Sequence, residues 1–228
     1  IKKGNLISIK GQKNLYGFNY AVGSDPSSAA FLIALTLLTP KSKLVIHNIL
    51  CNDTRIYFLK ILKKANANIK INNLKKISGE LVGSITISSS KLKPIVISKD
   101  IGKFIDELPI LFIIAALTKG TSKFKNIGDL KNKESNRLLE SKKILVQAGI
   151  KCKITKDAMT IYGKNEIEKQ NRTILVKAKG DHRICMSSAI LALITGIRTK
   201  INNFETVNTS FPGFISLMKS LGGKIVIK

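Results

Sequence analysis

The stretch Leu130-Lys131-Asn132-Lys133-Glu134-Ser135-Asn136-Arg137 joins two patterned runs. Before it, Thr121 to Ile127 alternates lysine with apolar side chains, as a strand does; after it, Leu138 to Ala148 is amphipathic, as a helix is. Asn132 reads as an N-cap, with Glu134 in the first turn at the positive end of the helix dipole. Arg137 lies four residues from Lys133 and three from Glu134, so that helix would carry all three on one face. Two cations beside a carboxylate, at a helix start with free backbone N–H groups, can hold an anion and move a proton. An ordinary solvated helix start has the same composition, so the surrounding chain must decide.

Outward from this stretch, one order of elements is written three times. In the first round Gly23-Ser24-Asp25-Pro26 opens an apolar helix, Ala29 to Leu38, followed by a strand, Lys43 to Ile49. Asn52-Asp53-Thr54-Arg55 then opens a second helix ending near Asn66, and strands Ile69–Ile71 and Ser84–Ser88 follow. In the second round Asp106-Glu107-Leu108-Pro109 opens a helix to Leu117, then come strand Phe124–Ile127, helix Asn132–Ala148 and strands Ile150–Ile154 and Met159–Tyr162. The third begins at Gly180-Asp181-His182-Arg183, with helix Ile184–Ile194 and strand Thr199–Phe204. Asn208-Thr209-Ser210-Phe211-Pro212 then starts helix Gly213–Leu221, and Lys224–Ile227 closes as a strand.

The registers agree. Asn48, Asn126 and Asn203 recur at intervals of 78 and 77 residues, Asp25, Asp106 and Asp181 at 81 and 75, and Asn52, Asn132 and Asn208 at 80 and 76. A repeat of two helices and about four strands is too large for a solenoid unit. Three such units can pack their apolar helices together behind sheets, giving an α/β (α+β) domain with pseudo-threefold character. Helix starts gathered at one end would attract phosphates and carboxylates, although an N-cap aspartate is in itself a structural residue.

Composition sets limits. The net charge of +25 over 228 residues calls for a partner or an explanation: nucleic acid, a membrane surface or small anionic substrates. The lysines are spread through strands, turns and helix ends with little aromatic interleaving, which favours a general lysine-rich composition over a nucleic-acid surface. The apolar runs Ala29–Leu35 and Leu108–Leu117 are too short to span a bilayer. Cys51, Cys152 and Cys185 are far apart and odd in number, neither a disulfide framework nor a metal site, and they read as buried, inert thiols in a cytoplasmic compartment. His47 and His182 cannot build a histidine-rich metal site, and no Walker or dinucleotide loop is present, so no cofactor or metal is expected. The chain begins Ile1-Lys2-Lys3 without methionine, which suggests a piece of a longer protein; residues 1–22 read as an extended polar segment.

Several residues could do chemistry. Asp106 is either an N-cap before Pro109 or a general base, with Glu134 as its partner acid. Arg183 is either a solvated arginine or a planar clamp for a carboxylate or phosphate. His182 can titrate or simply pack, and Arg55 reads as mostly structural.

Four motifs then fall into one order. Lys133-Glu134-Ser135-Asn136-Arg137 resembles the K-E-S/T-D-R segment of the 3-phosphoshikimate 1-carboxyvinyltransferases, the enolpyruvylshikimate phosphate (EPSP) synthases. Gly180-Asp181-His182-Arg183 resembles their G/N-D-H-R. Gly23-Ser24-Asp25-Pro26-Ser27-Ser28-Ala29-Ala30 and Thr209-Ser210-Phe211-Pro212-Gly213-Phe214 resemble two further signatures of that family. The resemblance implies an enzyme of two domains, each of three β-α-β-α-β-β units, with the active site in the cleft between them. Residues 1–22 would then end the upstream domain. Residues 23–228 would be the C-terminal domain, less its first short strand, with units at about 23–100, 101–170 and 171–228.

The implied reaction moves the enolpyruvyl group of phosphoenolpyruvate onto the 5-hydroxyl of shikimate 3-phosphate, by addition and then elimination, without metal or cofactor. By this resemblance Asp106 is the base on the 5-hydroxyl, Glu134 the proton donor to the methylene carbon, Lys133 a ligand at the shikimate 3-phosphate end, and Arg137 and Arg183 the clamps on phosphoenolpyruvate. The partner is the upstream domain of the same polypeptide, which holds further ligands; a monomer is expected, and the piece alone should not turn over. Asn136 departs from the family aspartate and is expected to alter a helix-surface contact, while Asp129 and Thr209 replace residues whose contacts are not carried over. Two rivals stand beside this reading: UDP-N-acetylglucosamine enolpyruvyl transferase, and a non-catalytic basic module binding RNA or acidic proteins.

Overall fold

The computed structural model describes residues 2–168 and 172–226. A short antiparallel hairpin, β1 (Lys2–Lys3) and β2 (Leu6–Ile7), leads into extended chain whose Ile9, Leu15, Tyr16, Phe18 and Val22 stand exposed. The segment is extended as expected, but these exposed apolar side chains make it less polar than the reading given above. Helix α1 (Pro26–Leu38) starts where Asp25 accepts hydrogen bonds from the backbone of Ser27 and Ser28, with Pro26 at its first position. Strand β3 (Lys43–Leu50), helix α2 (Tyr57–Lys64) and the hairpin β4 (Asn68–Ile77) and β5 (Glu80–Ser88) complete the first unit.

The second unit runs β6 (Val96–Ile97), α3 (Leu108–Ala116), β7 (Gly120–Phe124), α4 (Arg137–Gln147), β8 (Lys151–Ile154) and β9 (Met159–Gly163). The third has β10 (Thr173–Lys177), α5 (His182–Thr195), β11 (Arg198–Asn202) and α6 (Phe214–Ser220). Helices α1, α3 and α5 contact one another, and the nine residues of α3 are all buried. A helix covered on every side has no use for a polar face, which is why the sequence of α3 is apolar throughout. Among the described residues the sheets lie around these helices in the orders β3-β5-β4, β6-β7-β9-β8 and β10-β11. In the second and third units the leading strand pairs in parallel with the strand after the apolar helix, Val96 with Lys123 and Thr173 with Arg198. In the first unit the same contact is a single parallel bridge, Ser24 with Ile49.

The repeating asparagines have a backbone cause. Asn48, Asn126 and Asn203 adopt φ of 53°, 60° and 55°, a left-handed conformation that asparagine accepts more readily than other residues with a Cβ. Asn126 and Asn203 follow the ends of β7 and β11, which stop short of the expected ends at Ile127 and Phe204, whereas Asn48 lies inside β3, where its pairing with β5 shifts between Ile46 and Ile49.

The second-helix caps read from sequence are wrong. Helix α2 begins at Tyr57, and the Asn52 side chain instead accepts from the backbone of Leu81 and bonds Glu80. Asn132 ends a 3₁₀ turn, Gly128–Asn132, and α4 begins at Arg137. Asn208 lies in another 3₁₀ turn, Phe204–Thr209, before α6. Residues 224–226 form no strand; Ile227 of the expected closing strand and residue 171 of the third-unit boundary lie outside the described residues.

Candidate active site

The three aspartates at equivalent repeat positions are not used alike. Asp25 caps α1 and Asp181 caps α5, whereas Asp106 sits in a 3₁₀ turn, Ile105–Glu107, and makes no capping bond to α3. Its Oδ1 instead accepts from Arg137 Nη1 at 2.9 Å and lies 3.1 Å from Lys133 Nζ. Lys133 reaches it because its backbone is extended, with φ −87° and ψ −168°, rather than helical. Contrary to their helical spacing, Lys133 and Glu134 precede the helix and do not share its face with Arg137. The three nevertheless meet, because the chain turns sharply into α4 at Asn136.

Asn136 is the N-cap of α4, its Oδ1 accepting from the Leu139 backbone at 3.0 Å. That accounts for its departure from the family pattern, since asparagine and aspartate cap about equally well.

Arg137, the first residue of α4, has no exposed surface, and each of its nitrogens faces a carboxylate. Nε donates to Asp181 Oδ2 at 2.9 Å, Nη1 to Asp106, and Nη2 to Glu134 Oε2 at 2.5 Å. The guanidinium fork thus bridges the expected base and the expected acid. Its burial differs from a freely exposed anion clamp. Arg183, in the first turn of α5, donates from Nη1 to the Asp106 carbonyl at 3.0 Å and passes 3.6 Å from Glu107 Oε1. Glu107 also hydrogen bonds Ser27 of α1. The starts of α1, α3, α4 and α5 therefore converge on one patch, which contains Asp106, Lys133, Glu134, Arg137 and Arg183.

The electrostatics follow from this crowding. Burial pushes the Asp106 carboxyl up, but the charges of Arg183, Lys133 and Arg137 outweigh it and hold the group below the usual carboxylate range. Burial drives Glu107 upward, only partly opposed by Ser27 and Arg183. Burial and then Arg183 lower His182, so its imidazole is neutral at pH 7.

Residues outside the patch take other roles. Arg55 bonds Asp25 and Ser27, as a structural residue would. Asp129 is exposed, and the Thr209 hydroxyl donates to the Thr206 carbonyl. All three cysteines are buried. Sequence reasoning missed Asp181 and Ser135 as members of the patch; the only available signal was that Asp181 directly precedes His182-Arg183. A groove of about 600 Å³ between α4 and β10 contains none of the five candidate residues.

The fold is similar to that of EPSP synthase from Acinetobacter baumannii, with a TM-score of 0.84 over 99% of this chain and 53% of that one, at 32% identity. This is the enolpyruvyl transferase fold. A family model described as EPSP synthase (3-phosphoshikimate 1-carboxyvinyltransferase) matches residues 1–218, and the chain belongs to that family. Relatives named 3-phosphoshikimate 1-carboxyvinyltransferase include one from Campylobacter jejuni, 37% identical over 94% of this chain and 48% of its own length. Another, from Helicobacter pylori, is 38% identical over 95% of this chain and 51% of its own length. The chain thus spans about half the length of the curated relatives it matches.

Proposed function

We propose that the complete polypeptide containing this chain transfers the enolpyruvyl group of phosphoenolpyruvate to the 5-hydroxyl of shikimate 3-phosphate and releases phosphate. The observation that carries this reading is the single buried guanidinium of Arg137, bridging the carboxylates of Asp106 and Glu134. The reaction needs an acid and a base a few ångströms apart, both surrounded by cations, and the patch supplies that arrangement.

In the proposed mechanism Glu134 gives a proton to the methylene carbon of phosphoenolpyruvate, leaving positive charge on the adjacent carbon. The substrate hydroxyl attacks that carbon while Asp106, charged at neutral pH because its cations hold it so, accepts the hydroxyl proton. In the elimination that follows, the Glu134 carboxylate takes a proton back from the new methyl group, the carbon–oxygen bond to phosphate breaks, the departing phosphate carries off the proton that Asp106 had accepted, and the vinyl ether product forms. Lys133 attends the shikimate 3-phosphate end through its contact with Asp106. Arg183 clamps phosphoenolpyruvate, and Arg137 joins it by exchanging the half-exposed Glu134 for the substrate anion.

We infer that residues 1–22 end an upstream domain and that residues 23–228 form the domain that closes over the substrates with it. The exposed apolar side chains between Ile9 and Val22 support this reading, because they need a sheet or core to cover them. The protein acts in the cytoplasm as a monomer, and this chain alone does not turn over.

The test is phosphate release from phosphoenolpyruvate by the complete polypeptide, offered shikimate 3-phosphate and, separately, UDP-N-acetylglucosamine. Release that requires shikimate 3-phosphate supports the proposal. Release with UDP-N-acetylglucosamine alone would reassign the acceptor, and release with neither would remove the enzyme reading.

A further inference from the structure

Asp181 has no exposed surface, and both of its oxygens are committed. Oδ1 accepts from the backbone N–H groups of Arg183 at 3.0 Å and Ile184 at 3.4 Å, which caps α5. Oδ2 accepts from the Ser135 hydroxyl and from Arg137 Nε, each at 2.9 Å. Its counterpart in the first unit does less. Asp25 caps α1 and meets Arg55, but that pair keeps nearly half of each side chain exposed, at 45% and 46%. The third unit has thus turned a helix cap into a buried joint between α4 and α5.

The joint has a geometric consequence. A guanidinium is planar, so fixing Nε also fixes the directions of both Nη atoms. With Nε on Asp181, Nη1 meets Asp106 and Nη2 meets Glu134. The other oxygen of the same carboxylate holds the backbone of Arg183. We propose that Asp181 is a positioning residue that locks Arg137 in register with Asp106 and Glu134 and ties it to Arg183, so that the two arginines meet phosphoenolpyruvate as one preset clamp. This rests on the function proposed above and adds a residue that touches neither substrate. Ser135 assists by holding Oδ2 on its arginine-facing side.

The decisive variant is Asp181→Asn in the complete polypeptide. Asparagine keeps the cap on α5 through its carbonyl oxygen, while its NH₂ group cannot accept from Arg137 Nε. The expected result is a fall of about 10–100-fold in kcat/KM for phosphoenolpyruvate, with KM for shikimate 3-phosphate within about twofold of the parent. A merely structural role would lower the thermal midpoint and the active fraction and leave both KM values in place; that result overturns the proposal. If Asp181→Asn does not fold, Ser135→Ala carries the test, with an expected rise of about 2–5-fold in KM for phosphoenolpyruvate alone. Unchanged constants in that variant also overturn it.

A second readout does not depend on turnover. In ¹⁵N-arginine-labelled protein, a slowly exchanging Nε–H resonance of Arg137 should be present in the parent and lost in Asp181→Asn, or in Ser135→Ala should exchange faster. A resonance untouched by the substitution refutes the joint even if the parent proves inactive, whereas failure of the function reading shows only as a parent that releases no phosphate.

Discussion

Replacing Arg137 by methionine measures what holds the patch together. Methionine keeps much of the aliphatic stem and removes the charge. Asp106 and Glu134 keep 42% and 49% of their side chains exposed, so they rehydrate when the guanidinium goes. Asp181 cannot, because both it and Arg137 are fully buried. The cost therefore falls on one stranded carboxylate. Breaking a buried pair by removing one partner costs ~3–5 kcal/mol. Three hydrogen bonds remain to Asp181, from Ser135 and from two backbone N–H groups, which puts the loss near the lower end, about 3 kcal/mol. In urea unfolding of the 228-residue chain at pH 7, with a slope of about 2–3 kcal/mol per M, the midpoint should fall by about 1 M. The double variant Arg137→Met with Asp181→Asn removes the stranded charge and keeps the cap, so it should recover about half of that loss. A single variant within about 0.5 kcal/mol of the parent, or a double variant less stable than the single, would refute the reasoning.

Three further outcomes are expected. Asn136→Asp should leave stability within about 0.5 kcal/mol of the parent, and Asn136→Ala should cost about 1 kcal/mol, read from the same urea curves. Gly163→Ala should cost about 3 kcal/mol and lower the thermal midpoint, because its Cβ would stand 2.1 Å from the backbone oxygens of Ala115 and Thr118; Gly213→Ala meets nothing within 4 Å and should stay near the parent. Burial pushes the Cys185 thiol from 9.0 up to about 12, so the folded state binds that proton more tightly than the unfolded state. Its contribution is intact below pH 9 and is lost as pH rises towards 12, so Cys185→Ala should flatten the fall in stability over that window, and the parent's thiols should react with Ellman's reagent only on unfolding.

Much of the fold could be read from the chain because its markers have local causes. Asn48, Asn126 and Asn203 mark the units because each takes a left-handed turn that asparagine suits. Asp25 and Asp181 mark them because each caps a helix. The same residue type misled at Asn52, Asn132 and Asn208, since asparagine serves a turn as readily as a cap. The short parallel strands β6 and β10 were not foreseen because their partners, β7 and β11, lie beyond a full intervening helix and carry the pairing information. For the site, resemblance named Asp106, Lys133, Glu134, Arg137 and Arg183, and the structure brings all five together. Helical spacing put Lys133 and Glu134 on the wrong element. The joint through Asp181 was illegible, because a buried pair 44 residues apart leaves no periodic trace in the sequence.

The central claim is that Glu134 protonates the methylene carbon of phosphoenolpyruvate while Asp106 takes the hydroxyl proton. The most direct measurement runs the complete polypeptide in D₂O with both substrates and follows deuterium at that carbon by NMR. A methyl group formed by protonation and emptied by elimination must exchange hydrogen with solvent. Deuterium is expected in the vinyl group of product and of recovered phosphoenolpyruvate, dependent on shikimate 3-phosphate and abolished in Glu134→Gln. Turnover that leaves the vinyl hydrogens unexchanged, or exchange that persists in Glu134→Gln at the parent rate, would contradict it.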